Sequence, residues 1–82
     1  MTASRRVEYS GRVQGVGFRW TVTRLARSHA VAGYVKNLPS GSVEVVAEGT
    51  AGEIDAFLSD IEQGMRGYIE NRTTRDEPVQ GF

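Results

Sequence analysis

A chain of 82 residues, 39% of them apolar, can build one small core and no second folding unit, so residues 1–82 are expected to form a single domain. With no cysteine and one histidine it excludes a disulfide framework, an iron–sulfur cluster, a thiolate zinc site, a cysteine nucleophile and a histidine-rich metal centre. Ten basic and ten acidic side chains balance, which argues against general nucleic-acid binding, yet residues 1–41 carry seven basic groups against one acidic and residues 42–82 carry three against nine, so chemistry on an anion belongs in the first half.

The N-terminal stretch Met1 to Ser10 is polar and reads as neither a signal peptide nor a membrane anchor, which makes a cytoplasmic protein the expectation. Arg6 to Val13 then alternates, with Val7, Tyr9, Gly11 and Val13 on one face, as a half-buried strand does. From Phe18 the apolar positions Phe18, Val22, Leu25, Ala26 and His29 take helical spacing, which predicts a first helix reaching about Ala30. Ala32–Asn37 and Ser42–Glu48 flank the turn-forming run Leu38-Pro39-Ser40-Gly41 and predict a hairpin, with Val43, Val45 and Ala47 facing one way and Glu44, Val46 and Glu48 the other.

Thr50 with Glu53 three residues on is a capping-box pattern, each side chain meeting a backbone donor of the other. It opens a second helix whose buried stripe is Ile54, Phe57, Leu58, Ile61 and Met65. Tyr68 to Arg75 gives a weak strand signal, and Phe82 is expected to pin the C-terminus to the core. The order strand, helix, strand, strand, helix, strand is an α+β class, the ferredoxin-like split βαβ sandwich: a four-stranded antiparallel sheet with two helices on one face.

The two helices begin differently. Thr50 caps the second, whereas the first follows Gln14-Gly15-Val16-Gly17, with no Ser, Thr, Asp or Asn to meet its free amides. An anion suits such an end, because amide groups and helix dipole both favour negative charge there. Gly15 and Gly17 let successive N–H groups turn inward as an anion nest. Arg19, in the first helical turn, is unfavourably placed relative to the dipole until a phosphate is bound, and a guanidinium grips two phosphate oxygens at once. The same residues also fit a plain tight connection with a solvated Arg19. Likewise Asn37, at the end of a strand before a turn, fits a structural role as well as a functional one. Trp20 and Tyr34 read as packing residues, Arg24 and Arg27 as a solvated helix face adding positive potential, and His29 as a helix-side residue without a catalytic role. Glu48, Glu53 and Asp55 lack a shared geometry for a metal.

The run Gly11-Arg12-Val13-Gln14-Gly15-Val16-Gly17-Phe18-Arg19 closely resembles the first signature of the acylphosphatase family. Gly33-Tyr34-Val35-Lys36-Asn37-Leu38, followed by Gly41-Ser42-Val43-Glu44, resembles its second, with tyrosine where tryptophan is usual. The resemblance covers nearly the whole chain and weakens after Gly64, where Met65-Arg66-Gly67 and the polar Asn71-Arg72-Thr73-Thr74 depart from the family's pattern. It implies the ferredoxin-like fold and hydrolysis of an acyl phosphate to a carboxylate and inorganic phosphate, with no metal, no cofactor and no covalent intermediate. By this resemblance Arg19 and the loop Gln14, Gly15, Val16, Gly17 and Phe18 hold the phosphate and Asn37 positions the attacking water. Gln14, at the mouth of the loop, is equally a strand-end surface residue.

Such a site contains no evident general acid or base, which suits a leaving group that needs no proton. A carboxylate qualifies, its conjugate acid having a pKa of about 4. The expected partners are therefore a small-molecule acyl phosphate and inorganic phosphate, the latter as product and competitive inhibitor, with no nucleic acid and no membrane, and the chain is expected to be a monomer. Two alternatives stay open: a non-catalytic anion-binding module on the same fold, and a hydrolase specific for carbamoyl phosphate, like the related domain of larger carbamoyl-transfer proteins. Having both Arg19 and Asn37 speaks for an enzyme over a mere binder, and the want of a further domain speaks against the second alternative.

Overall fold

A computed structural model describes residues 1–82. The elements follow in the expected order: β1 (Ala3–Gly11), α1 (Phe18–Ala26), β2 (Ala32–Asn37), β3 (Val43–Gly49), α2 (Ala51–Gly64) and β4 (Ile69–Glu77). They form one antiparallel sheet of order β2-β3-β1-β4. The period-2 patterns of β1 and β3 set the register, with Val7 opposite Val45 and Tyr9 opposite Val43. These side chains meet Phe18 and Val22 of α1 and Ile54, Phe57, Leu58 and Ile61 of α2 in a single buried cluster. The Tyr9 and Phe18 rings lie 5.6 Å apart at its centre. Burial, together with donation to Glu62, raises the Tyr9 pKa and keeps the phenol neutral. No helix is long and apolar enough to cross a membrane.

The helix-free face of the sheet is covered by polar side chains rather than left open. Glu44 accepts from Arg6 at 3.1 Å and from the Tyr34 hydroxyl at 3.0 Å, and it is 5% exposed. Glu48, 4% exposed, accepts from the backbone amides of Gln80 and Gly81. This explains why β3 is buried on both faces although only one carries helices.

Five expectations need correction. Strand β1 runs Ala3–Gly11, three residues earlier at its start than the expected Arg6, and Val13 lies beyond its end. Helix α1 stops at Ala26, because the amides of Arg27, Ser28 and His29 reach back three residues instead of four, to Arg24, Leu25 and Ala26, and the turn tightens. His29 therefore lies beyond the helix, with Nε2 2.7 Å from Asp60 of α2 and its ring against Phe57. The capping box at α2 is half made: Thr50 Oγ1 accepts from Glu53 N at 3.2 Å, but the Glu53 carboxylate accepts from Ala30 N, tying the end of the α1 segment to the start of α2. Phe82 does not join the core; it is 52% exposed and packs edge-on against Tyr34, 5.8 Å between centroids, on the helix-free side. Trp20 is not a packing residue either, being 67% exposed. It lies two positions from Phe18, off the apolar stripe, so a sidechain there points outward.

Candidate active site

The loop between β1 and α1 is held by buried apolar residues at both ends. Val13 at 1% exposure and Phe18 at 2% are embedded in the core, and Val16 packs against it from between them. Pinned in this way, Gln14, Gly15 and Gly17 are left on the surface. Gly15 (φ 76°) and Gly17 (φ 78°, ψ 19°) take left-handed conformations that an L side chain adopts only at a cost. A Cβ at either would meet nothing within 4 Å, so glycine is required here for backbone shape and not for lack of space.

Gly17 is the N-cap of α1 and contributes no side-chain hydrogen bond; the first turn holds no acidic residue. The amide of Thr21 reaches the Gly17 carbonyl at 2.9 Å, which leaves the amides of Phe18, Arg19 and Trp20 without a partner from the helix. Those donors face out of the helix end. Arg5, Arg6, Arg72 and Arg75 all sit in ion pairs elsewhere on the surface, whereas Arg19 has none.

Asn37 reaches this place from the edge strand β2, at the same end of the sheet as the loop, since Asn37 and Tyr9 both lie opposite Val43. It closes β2, pairs with Val43, and is followed by a turn fixed by Leu38 N to Ser42 O at 2.8 Å and Gly41 N to Leu38 O at 3.0 Å. The Gln14 carboxamide fastens the loop to that turn, its Nε2 donating to the carbonyl oxygens of Leu38 and Ser42. The result is a cavity of about 190 Å³ whose walls include Gly15, Gly17, Phe18, Arg19 and Asn37, with Val13 at its base and Trp20 at its rim.

Of the loop residues singled out from sequence, Gly15, Gly17, Phe18 and Arg19 therefore share one cavity with Asn37. Gln14 and Val16 are not on its wall: the Gln14 side chain is engaged with the hairpin and that of Val16 with the core. Trp20, expected to pack, instead lines this cavity, and its place off the apolar stripe and next to Arg19 is the sequence signal for that. The suspected acids lie apart, Glu48 on the C-terminal amides, Glu53 on Ala30 and Asp55 on Arg5, and no three His, Asp or Glu side chains are grouped to hold a metal. Chemically, the cavity offers a cation, a row of amide donors and a neutral carboxamide, a set complementary to a tetrahedral anion with a water beside it.

Known proteins share the sequence pattern and the fold of this chain. A family model described as acylphosphatase matches residues 5–82. An acylphosphatase from Thermococcus kodakarensis is 52% identical over 76 residues, covering 88% of this chain and 84% of its own. The crystal structure of acylphosphatase from Bacillus subtilis superimposes with a TM-score of 0.86 at 32% identity, over 99% of this chain and 90% of that one. Full-length HypF, crystallised in a phosphate- and nucleotide-bound form, matches over all of this chain with a TM-score of 0.92 and 30% identity, the match covering 11% of HypF.

Proposed function

Since the chain belongs to the acylphosphatase family and is an enzyme of acyl-phosphate hydrolysis, we propose that the cavity between Gly15 and Asn37 carries out that reaction, with Arg19 and the loop amides on the phosphoryl group and Asn37 on the attacking water. The observation that carries this reading is the convergence of Arg19 and Asn37, from two separate elements, on one cavity whose remaining wall is an uncapped helix start.

Phosphoryl transfer asks mainly for positioning and for charge stabilisation on the equatorial oxygens. The Arg19 guanidinium takes two of those oxygens and the amides of the Gly15–Phe18 segment the third. Asn37 holds water in line with the bond that breaks. Water oxygen attacks phosphorus, the P–O bond to the acyl group opens, and the carboxylate departs with the bonding pair. The proton lost by water passes to a phosphate oxygen. No protein acid is needed, because the carboxylate is a stable anion at neutral pH. Gln14 acts through its grip on the hairpin, as a positioning residue for Asn37.

Hydrolysis of benzoyl phosphate in the presence of a chelator, with inorganic phosphate competing, tests the reading. A chain that binds phosphate without turnover would instead be an anion-binding module. Running carbamoyl phosphate beside benzoyl phosphate separates the carbamoyl-specific alternative.

A further inference from the structure

Trp20 belongs to two depressions at once. One is the cavity that holds Arg19 and Asn37; the other, of about 110 Å³, is walled by Trp20, Thr23, Arg24 and Arg27. These four positions follow the spacing i, i+3, i+4, i+7 and form one outward face of α1 and its C-cap. The Arg24 guanidinium stands over the indole ring, 5.1 Å from its centroid, so cation and aromatic surface are held as one unit. Between Gly11 and Val43 the sequence has no acidic residue, and neither Arg24 nor Arg27 forms an ion pair. An exposed tryptophan next to unpaired arginines, its ring shared between this depression and the phosphoryl site, is a poor arrangement for solubility and a good one for a ligand.

We propose that this second depression receives the acyl end of the substrate and selects acyl phosphates whose acyl group bears a further anion, a carboxylate or a phosphate, on the side away from the phosphoryl group. The inference rests on the phosphoryl site assigned above. The spacing is suitable: the helix advances about 7.5 Å from Arg19 to Arg24 and about 12 Å from Arg19 to Arg27, so one planar ring or a short carbon chain bridges the two sites. Trp20 offers its face to that bridge, and Arg24 and Arg27 meet the distal charge. Arg24 and Arg27 are thus specificity-determining residues, outside the phosphoryl chemistry itself.

A general attraction of anions by a basic helix grows with the charge of the substrate and is nearly indifferent to where on a small ring that charge sits. The experiment therefore reads a ratio. The kcat/KM for 4-carboxybenzoyl phosphate and for 4-phosphonobenzoyl phosphate is divided by that for the 3-substituted isomer of each, which carries the same charge in another place, in the wild type and in Arg24→Ala/Arg27→Ala. Leaving-group electronics are the same for both proteins and cancel. Each exposed charge pair contributes modestly, so the double variant is expected to lower the ratio about five- to tenfold, with Arg24→Lys recovering part of the loss. The two charged substrates distinguish a carboxylate-selective from a phosphate-selective subsite. A ratio unchanged by the double variant for both overturns the proposal while leaving the phosphoryl site standing. Failure of the wild type on benzoyl phosphate itself overturns the phosphoryl site, and this subsite with it.

Discussion

Gln14 Nε2 donates to the Ser42 carbonyl oxygen at 2.9 Å while also reaching the Leu38 carbonyl oxygen at 2.8 Å, so one side chain ties the β1–α1 loop to both ends of the β2–β3 turn. Arg19 is carried by the first of these segments and Asn37 by the second. Their mutual distance therefore depends on a residue that does not line the cavity.

Gln14→Ala removes both hydrogen bonds from an exposed position. A stability loss of about 1–2 kcal/mol is expected, together with a drop in kcat larger than any change in KM, because Asn37 is displaced and Arg19 is not. Chemical denaturation and steady-state kinetics measure the two effects; full kcat in this variant would show that the tie has no part in positioning.

Arg19→Ala should abolish measurable turnover and remove competition by inorganic phosphate. Arg19→Lys keeps the charge and loses the two-pronged grip, so kcat/KM should remain at least about 10²-fold below wild type. Substantial activity in the lysine variant would mean that charge alone suffices.

Asn37→Ala is expected to lower kcat by about 10²- to 10³-fold, the usual effect of losing one preorganised polar group. The inhibition constant for inorganic phosphate should change little. If phosphate binding loosened and turnover survived, Asn37 would be a phosphate ligand and not a water-positioning group.

Glu48 is expected to contribute to the acid limb of stability. Hydrogen bonds from the amides of Gln80, the largest effect, and then Gly81 lower its pKa below the ordinary glutamate value. A depressed folded-state pKa contributes stability that is present above the unfolded value, about 4.3, and disappears as pH falls through the folded one. Glu48→Gln should thus have a lower Tm than wild type at pH 7, and the two melting curves should draw together below about pH 4. A difference that stayed constant with pH would mean that the carboxylate charge is not what holds the tail.

Much of this arrangement was legible in the amino-acid order because local rules and tertiary packing agree there. β2 begins and ends at the expected residues, since a proline–glycine turn follows it, and α2 starts after Thr50 as a cap residue demands. The cavity was legible through an omission, the missing cap before Phe18. What escaped depended on partners distant in sequence. Glu53 follows a capping pattern, yet its carboxylate turns to Ala30, 23 residues earlier. Phe82 is apolar and terminal, but the face it reaches is decided by Glu48 catching the adjacent amides. Gln14 looks like a loop residue until the hairpin stands beside it. The weak signal of β4 has a physical cause as well: this edge strand is exposed along nearly its whole length and needs few apolar side chains.

The unfinished start of α1 has a consequence for the lifetime of the molecule. A missing cap leaves a helix short of about 1 kcal/mol, and whatever anion sits at Gly17 makes up the shortfall. Ligand at 100 times its dissociation constant adds about 2.7 kcal/mol to folding. On the reading proposed above, working enzyme and idle enzyme would differ in resistance to heat and to proteases, and phosphate bound at the loop would preserve the very segment it obstructs.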